Sequence, residues 1–588
     1  MKTNVIYIVG ILGTTLLLAS PSTLQAQGEQ GLNRELTLER EYDPSVRDAN
    51  KVNTLPAVKE PTVSKSPIDY AFLSLPANPQ REIGRLSPGK YKTEIEHDKH
   101  RGYLNFGLGN YWNINGDAGY HILNSDKDQL GVYLSHRSTN GNIKYLSGFM
   151  KDEAVKAKVN DNLGGIDFRH AFKKAALKLN AQYGYSAFNY YGLPSPPPFS
   201  DYRLYSVDTE TNQVNRHIVA GIGVESIPGG SAADYHAGLS FTRLSYKYGM
   251  DAGSEGTAEN TVGGTFGISK PLGGTQRLGI DTKFDYFNYN MPEGGILSFE
   301  DFLAGKLNPY YLLEGDFWNF KAGVNIMFFT GSEAKVFASP NLGADMNIGA
   351  KTLLYIDIGG GMSANNLFQL SRENRYIAPL YSTLPSQTLL DAVMGLKSGV
   401  APGFWFNIFG GYKYTVDDYF YIPERSWMGF GNMSRTMPLD SKRLYGGLEL
   451  KYAYQHLFDV TLKGVYNHWT VSSNIKVIDD RHNGINLMPD WKAYGRPKIE
   501  AIGSLLVRPV DKLALSLDYH LASGRVSSEG WDEKMKDINE LNFTGSYRIN
   551  DTFGAYLKFN NLLFQRYELI YGYPLQGFSL MGGININF

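Results

Sequence analysis

The 588-residue chain contains no cysteine. Disulfides and thiolate chemistry are therefore excluded, and so is anchoring through a lipid-modified cysteine after a cleaved leader. Past the N-terminal leader there is no apolar run of about 18 residues, so no membrane-spanning helix is expected. Mean hydropathy is negative, at −0.29. Charge of either sign is also lacking in excess: 57 Lys and Arg face 58 Asp and Glu, for a formal net charge of −1. Nothing in that balance suggests a nucleic-acid partner. Gly-x-Ser-x-Gly, His-Glu-x-x-His and P-loop signatures are all missing, and no cofactor is expected. The residue types of a carboxylate–histidine site occur at Asp479, Asp480, Arg481 and His482, but they read as a solvated loop tip. Asp126 and Asp128 lie in a segment that lacks the closing glutamate of a calcium loop and reads as a hairpin turn. The chain is read as a non-enzyme.

What the chain has is an export leader, many aromatics and a period of two. Lys2 precedes a short apolar stretch, and Leu24-Gln25-Ala26 offers a cleavage site, so residues 1–26 read as a signal peptide. The composition includes 64 Gly, 40 Tyr and 31 Phe. In residues 277–286, Leu278, Ile280, Thr282, Phe284 and Tyr286 alternate with Gly279, Asp281, Lys283 and Asp285. In residues 512–521, Leu513, Leu515, Leu517, Tyr519 and Leu521 alternate with Ala514, Ser516, Asp518 and His520. Strands put successive side chains on opposite faces, so each such segment has one greasy and one wet face. These segments reach the roughly 9–11 residues that a tilted strand needs to cross a bilayer. Aromatics near strand ends (Tyr111, Trp112, Trp405, residues 419–421, Trp469) suggest interfacial girdles. A chain that crosses a membrane without helices must close into a barrel, because hydrocarbon offers no partner to an open sheet edge.

Connections sort into short turns, at residues 173–174, 272–276, 349–351, 511–512 and 550–551, and long ones, at 191–214, 291–309, 424–440 and 478–491. Outer-membrane barrels pair short periplasmic turns with long extracellular loops, which sets the topology. The expected fold is all-β, a transmembrane antiparallel β-barrel of roughly 22 strands, in a range of about 14 to 24. The barrel is expected to occupy residues 91–588, and a turn near Gly116-Asp117 demands either an earlier strand within 89–96 or a miscounted hairpin. Residues 27–90 carry repeated prolines and mixed charge, and read as an extended periplasmic or lumenal arm.

The C-terminal residues carry a family resemblance. An alternating strand at 541–549 leads through Asn550-Asp551 to residues 553–562, which end in Asn560-Asn561-Leu562. Tyr571-Gly572-Tyr573-Pro574 follows, and the chain closes on alternating Leu580, Gly582, Ile584, Ile586 and the terminal Phe588. This tail resembles the end of a TonB-dependent receptor barrel, and Tyr and Asn usage resembles the receptor-like barrels of Bacteroidota. One departure is Phe578, where the family carries a basic residue after the glycine. The resemblance implies an outer-membrane barrel that passes a solute, and an assembly signal in Ile584, Ile586 and Phe588 read by the barrel-assembly machinery. It also implies a plug domain, for which residues 27–100 are too short, and a TonB box, which Glu35-Leu36-Thr37-Leu38 matches poorly. Since a barrel of 16 or more strands encloses water, the arm, inserted loops or a partner must close it. Expected partners are outer-membrane lipid, the assembly machinery and envelope proteins reached through the arm. Solute passage is one reading; the other readings are a structural subunit of an envelope assembly or secretion complex and, as a minor one, an outer-membrane enzyme.

Overall fold

The structure, a computed structural model, describes residues 100–146, 150–193, 212–227, 232–249, 255–291, 299–331, 334–349, 351–379, 383–423, 433–473, 491–527 and 534–588. The leader, the arm, the strand expected within 89–96 and residues 479–482 lie outside them.

Alternation in the sequence becomes the two faces of one wall. In the strand Gln276–Asn290, Leu278, Phe284 and Tyr286 are among the exposed apolar side chains. Asp281, Lys283 and Asp285 point to the other side, where Lys283 and Asp285 pair at 2.9 Å. Neighbouring strands continue the outer belt, with Ile218, Leu239 and Val262 exposed. An exposed apolar belt encircling a charged interior is stable only where the solvent outside is lipid. No helix among the described residues is long and apolar enough to cross a membrane.

Consecutive strands pair antiparallel around the whole ring, and the first, Gly102–Gly109, pairs with the last, Ser579–Asn587. The terminal residue completes this seam: the Gly102 N–H donates to the Phe588 carbonyl at 2.7 Å, and the Phe588 N–H donates to the Gly102 carbonyl at 2.9 Å. Lys335–Pro340 and Leu342–Gly349 both pair with Trp318–Phe329 and form one strand interrupted at Asn341. Counted so, the barrel has 22 strands. The five expected short turns all join consecutive strands at one end of the barrel, for instance residues 172–174 and 511–512.

Several expectations are corrected. Gly116 and Asp117 are not a turn but lie inside the strand Asn113–Asn124, opposite Phe106 and Asn105. The hairpin sits earlier, at Asn110–Trp112, where Tyr111 and Trp112 take positive φ of 56° and 52°. That hairpin supplies the even strand count, so no strand before residue 102 is needed to close the ring. Three long connections are shorter than expected, because strands Asn212–Ser226, Phe302–Glu314 and Ser434–Tyr454 begin inside them. Nor are all the end-of-strand aromatics girdle residues. Trp405 lies opposite Lys451, whose ammonium sits 4.6 Å from the Trp405 ring, on the lumenal face. Period two places a side chain on a face but does not say which face is wet when an aromatic can stack under a cation.

The ladder has one break. Leu342 pairs with Ile358, but residues 335–340 make no ladder with the upper half of Thr352–Ser363. Pro340 has no N–H to offer there, and across from it the chain bulges between Gly359 and Gly361. The Asn325 side-chain amide reaches the Gly360 carbonyl at 3.2 Å, a side-chain substitute for the missing backbone bond.

Candidate functional site

At the end opposite the short turns, one connection does not stay outside. Between the strands Thr352–Ser363 and Ser386–Ala401, residues 364–379 carry a helix, α1 (Leu367–Glu373). Leu367, Leu370, Ile377 and Ala378 are at most 1% exposed. The apolar residues of α1 pack on Leu244, Phe287, Phe329 and Tyr419, which belong to four wall strands. Truncating such a fully buried leucine costs about 2–5 kcal/mol, so the segment is held by packing rather than draped.

Polar contacts fix it at both ends of the helix. Glu259, on the wall strand Ala258–Pro271 and 1% exposed, accepts from the Asn366 amide at 2.5 Å and the Phe368 N–H at 3.3 Å. Asn366, the residue preceding the helix, makes no side-chain cap of its own, so the wall carboxylate supplies that role. Glu373 accepts from the Tyr419 and Tyr421 hydroxyls at 2.5 and 3.1 Å. Beyond the helix, Arg375 makes a two-pronged pair with Asp161 at 2.8 and 3.0 Å. Asp161 lies on Ala154–Ala171, the fourth strand, whereas the segment leaves the thirteenth. In a ring of 22 strands the two are nearly opposite. The segment is therefore a strap across the lumen.

A second inserted connection meets it. Tyr573 stacks on Tyr376 with ring centres 3.9 Å apart, and Tyr191 packs edge-on against both. The Tyr191 hydroxyl donates to the Pro574 carbonyl at 3.1 Å, and the Leu193 N–H donates to Gly572 at 2.8 Å. Burial pushes the Tyr191, Tyr376 and Tyr573 hydroxyls well above the ordinary tyrosine range or upward from it, so this aromatic layer stays neutral. The Tyr571-Gly572-Tyr573-Pro574 motif thus serves as the strap's second support. Asn561, in the Asn-Asn-Leu motif, takes φ of 56° and turns the chain out of its strand, its amide donating to the Gln565 carbonyl at 2.6 Å.

Other candidate residues fall as follows. Ile584 lies on the outer face, 48% exposed, and Ile586 lies two residues further along the same face. Phe588 lies at the seam, stacked on Tyr120 with centroids 6.1 Å apart. Asp126 is in the turn between the second and third strands, and Asp128 pairs with His170 at 2.6 Å. No group of acidic and histidine residues that could hold a metal occurs among the described residues. Asp161, Glu259 and Arg375 escaped the sequence reading. The usable signal was the pair Leu367 and Leu370, spaced as on one face of a helix inside a chain of period two.

Fold and site together define the class, an outer-membrane β-barrel whose lumen is crossed by its own connection. Neither a protein-family model nor a curated protein matches the sequence. Among solved structures the chain is similar to the FrpB iron transporter from Neisseria meningitidis, at 11% identity and TM-score 0.62, covering 84% of this chain and 83% of that one. It is similar to the ferric yersiniabactin uptake receptor FyuA from Yersinia pestis, at 12% identity and TM-score 0.60, with 83% and 80% covered. The copper transporter OprC matches at 10% identity and TM-score 0.60, over 83% and 80%. The likeness is one of fold: the 22-stranded barrel of TonB-dependent outer-membrane receptors, which the C-terminal motifs resemble. The matched proteins are named as transporters and receptors, none as an enzyme.

Proposed function

We propose that this barrel passes a solute across the outer membrane and that the strap of residues 364–379 governs access to its lumen. The observation that carries the reading is the Arg375–Asp161 pair, which ties the segment to a wall strand nearly opposite its origin. The shared fold with metal and metal-chelate transporters supports uptake as the direction of passage. The test is ion conductance of the full-length protein in planar bilayers, beside a variant in which Leu367–Glu373 is replaced by a short Gly-Ser linker. Low conductance in the parent and a wide, steady pore in the variant are expected. Equal, negligible conductance in both would favour a structural subunit in an envelope assembly.

Assembly is proposed to depend on the terminal strand, with Ile584, Ile586 and Phe588 as the signal read by the assembly machinery. Phe588 contributes both bonds of the seam to Gly102. Deleting Phe588 is expected to reduce the heat-modifiable, folded form in outer-membrane fractions several-fold. An undiminished folded band would remove these residues from that role.

A further inference from the structure

Above the apolar belt, on the side of the barrel that faces lipid, three cations converge. Arg216 lies on Asn212–Ser226 and Arg243 on the adjacent Asp234–Tyr246, with Lys247 just beyond it. Register places Ser245 opposite Arg216 and Ile218 opposite Arg243, and the Lys247 N–H donates to the Val214 carbonyl at 2.9 Å. Arg243 and Lys247 are thus the two diagonal neighbours of Arg216, at the roughly 7–8 Å such positions have. All three are exposed, whereas Asn215, Leu244 and Tyr246 between them are buried on the lumenal face. Directly below lie Ile218 and Phe241, 43% and 39% exposed to the acyl chains, with Tyr183 beside them.

Like charges on diagonal sheet neighbours repel, and nothing within the described chain neutralises these. Arg243 donates to the Asn260 side-chain Oδ1 at 2.8 Å, and Lys247 sits 4.7 Å from the Tyr248 ring. No ion pair joins any of the three to a described carboxylate. The outward-facing Asp301 is engaged by Asn288 at 2.7 Å and the Tyr289 N–H at 2.8 Å. Long connections place this rim at the extracellular end, so the triad stands where headgroups of the outer leaflet meet the wall.

We propose that Arg216, Arg243 and Lys247 bind the phosphate groups of an outer-leaflet lipid whose acyl chains lie on the belt formed by Ile218 and Phe241. Guanidinium forks suit phosphate oxygens in two-pronged geometry, and Lys247 adds a point charge. Continuity of the cation cluster with the apolar belt selects a lipid over a free anion.

The test uses full-length protein in mild detergent, offered vesicles of a bisphosphorylated glycolipid or of the same lipid with its phosphates removed. Lipid retained after washing is measured by mass spectrometry. The parent is expected to retain the phosphorylated lipid preferentially, and Arg216→Ala/Arg243→Ala/Lys247→Ala to lose roughly fivefold per cation removed. A matched variant of the opposite rim, Lys173→Ala/Lys174→Ala/Lys512→Ala, should retain it as the parent does. Heat modifiability confirms that each variant is folded, and the single change Arg216→Gln serves should the triple variant fail to assemble. Retention that ignores the phosphates, or that falls equally in the control, overturns the proposal.

Discussion

Valine in place of Gly583 should leave most of the chain unable to close into a barrel. Gly583 is in the terminal strand and lies between Tyr556 on one neighbour and Gly107 on the other. A Cβ built there collides with the Tyr556 ring and with the backbone carbonyl of Phe106. The ring can rotate away, but the carbonyl belongs to the first strand and cannot move without breaking the seam. Overpacking of this kind costs about 1–3 kcal/mol where side chains can yield, and here a backbone atom must yield as well. The expected readout is loss of the heat-modifiable band and accumulation of unfolded protein. Gly273, in a periplasmic turn with nothing within 4 Å of its would-be Cβ, is the matched control and should tolerate the same change. Normal folding of Gly583→Val would mean that the first and last strands do not meet as described.

The second large effect is expected from the strap. Asp161 and Arg375 are each about one-third exposed, so their pair contributes little to global stability once screening is considered. Its consequence is positional. Alanine at either residue should free the far end of the strap and raise mean conductance, with stability of the barrel nearly unchanged. Exchanging the charges, Asp161→Arg with Arg375→Asp, should restore much of the parent's low conductance. Removing Glu259 should act differently, because its carboxylate is 1% exposed and satisfies Asn366 and the Phe368 N–H. Glu259→Ala leaves those half-buried donors without this partner, at up to about 1–3 kcal/mol each, and should loosen the helix itself. If the charge exchange conducts like the single variants, the pair does not set the strap's position.

Much of the wall was legible because lipid and water sort side chains strictly. Leu278 to Tyr286 and Leu513 to Leu521 alternate as a strand between two solvents must, and both face lipid as expected. The first hairpin was not legible, because its turn uses Tyr111 and Trp112 in left-handed backbone rather than Gly or Asn. Trp405 and Trp469 were misplaced for another reason: a lumen-facing aromatic stacked under Lys451 or Arg443 looks in sequence like a girdle residue. The anchoring of the strap was not legible because its contacts join residues far apart, 214 positions for Arg375 and Asp161. No local period encodes such a pair. Among the described residues, two connections enter the mouth and pack on each other through Tyr376 and Tyr573, as the inserted-loop reading of the closure would have it.

The most direct test of the strap uses the chain's lack of cysteine. Arg375→Cys and Asp161→Cys, combined in one full-length protein and treated in intact cells with a short bifunctional maleimide, should give an internally cross-linked species of altered mobility. Either single cysteine should give none. A double variant that assembles, labels at both thiols and yields no cross-link would show that the segment does not cross the lumen, and would contradict the account.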